Sequence, residues 1–288
     1  MKNCKKHFVV TLFVLVFGLF LKPENARCQV IEVGASAGLS SYWGDINPWN
    51  PLNKSKLGVG LVVRYYDNVR WAFRFSYTNQ TVAGNDKVSG YKSERGLSFN
   101  TKINDFALLA EFNFLNYFTG SKRSKFSPYL FGGISFFTFN PKADDGTELC
   151  TVLTDVDYDS SIPENGKAKY SKSSLSLPFG MGVKYSLGKK VGLTVEWRFH
   201  YAFTDWIDDC HAYYPTYASA KEPFVHYSDP TGLTTDANNA NDKEYVQRGN
   251  YSDNDWYGYL NVSLVYKFIL PKKDKCYSDA NRNSYVTY

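Results

Sequence analysis

From Val191 to Phe203 every second residue is apolar or aromatic: Val191, Leu193, Val195, Trp197, Phe199, Tyr201 and Phe203, with Gly192, Thr194, Glu196, Arg198, His200 and Ala202 between them. A period of two puts one set on each face of a strand. The same pattern runs from Trp256 to Phe268, and over Ile31 to Leu39, Leu57 to Tyr65, Trp71 to Tyr77, Phe106 to Phe114, Tyr129 to Phe139 and Leu175 to Tyr185. Eight strands are therefore predicted. They are long for a soluble sheet, where roughly five to six residues is usual, and match the roughly nine to eleven that a tilted strand needs to cross hydrocarbon.

The connections alternate in length. Long links over Tyr42 to Lys56, Asn79 to Phe99, Asn140 to Ser173 and Thr204 to Asn254 take turns with short ones at Asp67-Asn68, Thr119 to Lys125 and Gly188-Lys189-Lys190. Outer-membrane barrels have this asymmetry, with short turns on the periplasmic side and long loops outside. A structureless loop of about fifty residues counts against a compact soluble domain. The expected fold is all-β, an eight-stranded antiparallel transmembrane barrel with both ends in the periplasm. Ten strands, with an extra pair from Tyr213 to Tyr227, is the alternative.

Alternation alone also fits a soluble, lipocalin-like barrel with an apolar lumen. The polar face argues for the membrane form, because it carries Arg64, Arg74, Glu111, Lys184, Glu196, Arg198 and Lys267 among small residues such as Gly34, Ser36, Gly58, Gly60, Gly180 and Gly182. A soluble exterior carries more Lys and Glu and fewer glycines. The seven charged groups are expected inside, where opposite signs can pair and fill a lumen too narrow for a pore. Rings at the strand ends, Tyr42, Trp43, Tyr65, Tyr117 and Trp256, fit an interfacial girdle, and aromatics make up 17% of the chain.

Residues 1–28 read as a cleaved secretory signal: Lys2, Lys5 and Lys6, an apolar run from Phe8 to Leu21, then Ala26-Arg27-Cys28. The barrel is expected over 29–268, followed by a periplasmic tail over 269–288. The net charge of +5 is concentrated in the leader, and the remainder holds 28 basic against 27 acidic residues. That balance gives no basic face for nucleic acid. Location in the outer membrane, in contact with its lipid, follows.

Asp205, Asp208, Asp209 and Asp255 flank the two ends of the last loop and could gather around calcium, but their spacing matches no known calcium loop, and capping of loop backbone is the better account. His200 and Glu196 share the inward face, too far apart along a strand for joint catalysis. The sequence has no CxxC, phosphate-binding glycine loop or nucleotide fingerprint. No enzyme activity, cofactor or metal is expected. After removal of the leader three cysteines remain. An oxidising envelope favours a Cys150 to Cys210 disulfide between two outer loops and leaves Cys276, in the tail, without an intramolecular partner.

A set of strings resembles the Bacteroidetes outer-membrane barrels to which the PorG component of the type IX secretion system belongs. They are Ser41-Tyr42-Trp43-Gly44-Asp45, Pro128 to Gly133, Phe139 to Lys142, Leu177 to Tyr185, Thr204 to Asp209, Arg248-Gly249-Asn250 and Asn254 to Tyr257. The resemblance implies a non-enzymatic part of a protein-export and gliding apparatus, associated beneath the membrane with a ring of a lipoprotein and a periplasmic protein. The partner surface is then expected on the periplasmic turns and tail, with Lys122, Arg123, Lys125, Lys189, Lys190 and Cys276. The alternative is a small surface barrel whose long outer loops bind a ligand, surface or partner protein.

Overall fold

The computed structural model describes residues 30–121, 123–149, 171–211, 224–231, 248–250 and 252–269. Eight strands close into one barrel in chain order: β1 (Val30–Trp43), β2 (Leu57–Tyr66), β3 (Trp71–Asn85), β4 (Ser98–Asn113), β5 (Phe126–Lys142), β6 (Ser173–Ser186), β7 (Val191–Ala202) and β8 (Trp256–Ile269). Every neighbouring pair is antiparallel, and β8 returns to β1 over fourteen residue pairs from Val30↔Ile269 to Trp43↔Trp256. Closure leaves no strand edge, so the backbone N–H and C=O groups of the wall pair between strands, with one gap in the β5–β6 ladder between Gly132↔Phe179 and Ser135↔Ser176. The Val30↔Ile269 pair also places both ends of the barrel chain at the end that carries the short turns.

Burial alternates along each strand with a sign opposite to that of a soluble barrel. On β2, Leu57, Val59, Leu61 and Val63 face out, with Leu61 60% exposed, while Arg64 is 1% exposed. On β6, Met181 is 60% exposed and the neighbouring inward Lys184 is buried. An outer face of Leu, Val, Ile and Phe around a charged interior is stable only when the surrounding solvent is hydrocarbon. The lipocalin-like alternative, with its apolar lumen, does not describe this wall.

Several strands run past the alternating segments. β3 continues to Asn85 and β4 begins at Ser98, so much of the expected Asn79 to Phe99 loop is an extended hairpin. Its upper part is polar on the outer face, where Tyr77 and Asn79 hydrogen-bond to Asn104, and Asn100 to Asp144, while Val82, Phe99 and Ile103 point inward. A hairpin that rises beyond the lipid has no apolar outer face, and the hydropathy pattern fades there although the ladder continues. The ten-strand alternative falls away, because Phe224–Ser228 is a helical turn and the barrel closes on eight strands.

Close approach explains the inward glycines. At Gly182 a Cβ would lie 2.8 Å from both the Tyr129 ring and the Glu196 Cβ, so a bare backbone makes room for the Tyr129 ring inside the lumen.

Candidate functional site: the filled lumen and its two rims

Neighbouring strands place the charged side chains of the lumen at similar heights. Arg64 is paired in register with Arg74, across from Glu32 on β1, while Glu111 sits opposite Ala72 and Glu196 opposite Gly182. Glu111 forms ion pairs with three cations, Arg64 Nε at 2.8 Å, Arg74 Nε at 2.8 Å and Lys184 Nζ, which donates to it at 2.5 Å. Glu196 binds Arg74 Nη1 at 2.5 Å and Arg198 Nη2 at 2.7 Å, and Glu32 binds Arg64 Nη1 at 2.7 Å. Neutral groups complete the network. Tyr129 donates to Glu196 at 2.5 Å, Lys184 donates to Asn113 at 2.9 Å, and Arg198 donates to Ser76 at 3.1 Å. The Lys184 ammonium also lies 4.4 Å from the Tyr129 ring centroid.

Six of the seven charges expected inside, Arg64, Arg74, Glu111, Lys184, Glu196 and Arg198, are almost fully buried. Lys267 lies at the lower rim, half-buried, in register with Glu32, donating to the Thr119 carbonyl and lying 5.1 Å from the Phe118 ring centroid. The sequence set held five cations and two carboxylates, an imbalance no dry interior tolerates. Glu32 and Asp105 supply missing negative charge, both fully buried. The alternation of β1 and β4 already carried that signal, since Glu32 is in phase with Gly34 and Ser36, and Asp105 with Glu111.

Both ends of the lumen are stoppered. At the short-turn end residues 117–119 fold inward, with Tyr117 and Thr119 buried and Thr119 donating to Glu32. Tyr117, expected in a lipid girdle, is part of this stopper. At the long-loop end Tyr42, Phe99, Ile103, Phe137, Phe139, Ile207 and Tyr257 pack into an apolar plug. Tyr42 likewise points inward, whereas Trp43 and Trp256 stay on the outer wall among Phe179, Phe199 and Tyr201.

Below that plug His200 meets Ser176 at 3.0 Å and Asp105 at 3.7 Å, both through Nδ1, while its ring stacks on Tyr257 at 4.2 Å. A Ser-His-acid relay needs the acid on one ring nitrogen and the serine on the other. Here both crowd one nitrogen in a closed interior, an arrangement that packs the lumen.

Above the plug the loops are tied to one another. Tyr42 Oη lies 2.6 Å from Asp208 Oδ2 and 2.7 Å from Asp255 Oδ1. A phenol has one hydrogen, so only one of these bonds is donated by Tyr42 and the other carboxyl must itself carry a proton. Burial pushes Asp208 well above its ordinary value and Asp255 up to about 7, and neighbouring acids push the same way. Burial also raises Asp205, to about 11, and lowers His211, whose Nδ1 lies 2.7 Å from Asp205 Oδ2. The acids cap backbone: Asp255 accepts from Ile207 N at 2.9 Å, Asp208 from Cys210 N at 2.9 Å and Asp45 from Asn250 N at 2.7 Å. Among the described residues they form no group arranged to hold a metal.

Two arginines that sequence reasoning missed bind these loops together. Arg95, between β3 and β4, forks onto Asp86 at 2.8 and 2.6 Å, and donates to the carbonyls of Asp45 in the first loop and Arg248 in the last. Arg248 donates to the carbonyls of Asp209 and Ser228. No periodicity marks such residues, because they lie in irregular loops and most of their partners are loop carbonyls.

Cys210 is buried beside this clamp as a free thiol, its Sγ donating to the Arg248 carbonyl at 3.3 Å. The expected disulfide to Cys150 is therefore not made at Cys210, whose sulfur is enclosed by Arg95 and the last loop. Cys150 itself lies outside the described residues, as do Lys122 and Cys276 with the tail. Arg123, Lys125, Lys189 and Lys190 are exposed at the short-turn end, where Lys190 lies 5.8 Å from the Tyr266 ring centroid.

An apolar outer wall, a lumen filled with ion pairs and alternating short and long links define a transmembrane β-barrel of the outer-membrane type. The chain belongs to the family described as Domain of unknown function (DUF6089), which matches residues 6–222. Among solved structures it is similar to Ail of Yersinia pestis, at 12% identity and a TM-score of 0.39 over 84% of this chain and 100% of that one. It is also similar to Neisserial surface protein A, at 16% identity and a TM-score of 0.40 over 85% of this chain and 100% of that one. The N-terminal β-barrel domain of OprF from Pseudomonas aeruginosa gives 9% and 0.37 over 85% and 100%. Among curated proteins, none matches the chain.

Proposed function

We propose that this protein is a non-enzymatic barrel of the outer membrane that ties periplasmic components of a type IX secretion and gliding apparatus to that membrane. The carrying observation is the filled lumen: Glu111 and Glu196, each bridging several cations, occupy the space a channel needs, so the barrel has its surfaces to work with. The strings that resemble the PorG group supply the partner, a ring of a lipoprotein and a periplasmic protein. Arg123, Lys125, Lys189 and Lys190 gather at the end where the barrel chain begins and finishes, which suits docking from below. Reversing Lys122, Arg123, Lys125, Lys189 and Lys190 to Glu should release the ring proteins on pull-down while the barrel stays heat-modifiable on a gel. Unchanged co-purification after that reversal, and after truncation at Phe268, overturns the reading.

The clamp formed by Arg95 and Arg248 supports a second reading, a surface barrel whose loops bind a ligand or partner. It gathers the bases of the first, second and last loops into one platform. Deleting 213–246 separates the two readings, because secretion survives it under the first and ligand capture is lost under the second.

A further inference from the structure

On the outer wall at the short-turn end, Arg70 of the β2–β3 turn, residues 114–116 after β4 and residues 123–126 leading into β5 border a concavity of about 530 Å³. Arg70, Arg123 and Lys125 supply its charge, and Phe114, Leu115 and Phe126 its apolar floor, without an acid in the lining. Arg70 is held by a bond from Nη1 to the Phe114 carbonyl at 3.2 Å, which uses one of a guanidinium's five donors. Among the described residues none of the three cations forms an ion pair.

The floor continues the lipid-facing wall. Phe114 meets the ring of Phe112 at 5.6 Å, and Phe112 meets Trp71 at 5.1 Å. Phe114, Leu115 and Phe126 are each about half exposed, at 46%, 51% and 45%. Cations therefore stand where the hydrocarbon-facing surface ends, at the depth of lipid headgroups.

We propose that this concavity is a binding site for an anionic phospholipid, its phosphate held by Arg70, Arg123 and Lys125 and its acyl chains laid along Phe114, Leu115 and Phe126. The phosphate of a zwitterionic lipid carries the same single negative charge, but its ammonium would meet repulsion beside three cations, so a net negative headgroup is selected. The volume falls within the range of roughly 300 to 1,000 Å³ typical of ligand pockets. The inference goes beyond the tethering function and does not rest on it.

The test uses the purified full chain in detergent, with no ring protein present, and native mass spectrometry against phosphatidylglycerol, phosphatidylcholine and inorganic phosphate. Phosphatidylglycerol should be retained as a defined adduct over phosphatidylcholine, and excess inorganic phosphate should not displace it. Each cation near a membrane surface contributes about fivefold in affinity, so Arg70→Gln with Arg123→Gln and Lys125→Gln should weaken retention by about a hundredfold, and Lys125→Gln alone by about fivefold. Lys189→Gln with Lys190→Gln, outside the lining, should leave it unchanged. Equal retention of both lipids, displacement by inorganic phosphate, or full retention by the single and triple variants overturns the proposal. An acidic peptide bound in place of the lipid would do the same.

Discussion

The lumen and the long-loop rim both bury carboxylates, and they treat them in opposite ways. In the lumen Glu111 and Glu196 each lie between guanidinium or ammonium groups, within 2.5 to 2.8 Å. At the rim Asp208 and Asp255 face one phenol and each other's neighbours, with backbone N–H groups as further partners. A buried acid next to cations is held as the anion, and one next to other acids is held by its proton. The first arrangement fails when a charge is removed and the second when a charge is added.

Removing Glu111 should break the first arrangement most severely. Glu111→Gln leaves Arg64, Arg74 and Lys184 around a neutral amide, and an uncompensated buried charge costs about 3 to 5 kcal/mol. Urea unfolding of the barrel in lipid vesicles measures this. A loss under about 1 kcal/mol would show that water or counterions replace the carboxylate.

The rim should respond to pH with the opposite sign from a salt-bridged carboxylate. Asp255 moves from an ordinary value near 3.8 up to about 7 on folding, so between those pH values the folded chain holds a proton that the unfolded chain has released. Its contribution is complete below about pH 4, declines through the window and is lost above about pH 7. Hydrogen exchange at Ile207 and Cys210, whose N–H groups bond to Asp255 and Asp208, should accelerate between pH 5 and 8 beyond the intrinsic base-catalysed rise. Exchange that follows only the intrinsic rate contradicts the proton-held rim.

Asp255→Asn sharpens the same comparison. An amide keeps an acceptor for Ile207 N and offers a donor to Tyr42 Oη without needing a proton. The variant should match the wild type at pH 5 and exceed it at pH 8, the reverse in sign of Glu111→Gln. A loss at both pH values would mean that Asp255 is anionic in the folded rim.

The smallest effect is expected at Cys210. Burial pushes its thiol well above the ordinary range, so in a chain with Cys150→Ser and Cys276→Ser it should resist maleimide until urea opens the loops. Cys210→Ser keeps a donor for the Arg248 carbonyl and should cost no more than about 1 kcal/mol. Rapid labelling of the folded barrel would show that the clamp opens readily.

Alternation carried the wall because a strand between lipid and lumen must change solvent at every residue, and the run from Val191 to Phe203 records that directly. The same phase marked Arg64, Arg74, Glu111, Lys184, Glu196 and Arg198 as inward, and it could have marked Glu32 and Asp105. Only closure decided which of them meet. Arg74 and Glu196 are 122 residues apart and touch because the barrel brings β3 and β7 across a narrow lumen. Tyr42 shares the inward phase of Glu32, Gly34 and Ser36 on β1, whereas Tyr117, outside any strand, turns inward because residues at the barrel mouths answer to the space left there. Arg95 and Arg248 were illegible for a related reason. Besides the carboxylates of Asp86 and Asp209, their partners are backbone carbonyls, which every residue possesses, and three-dimensional proximity alone selects among those.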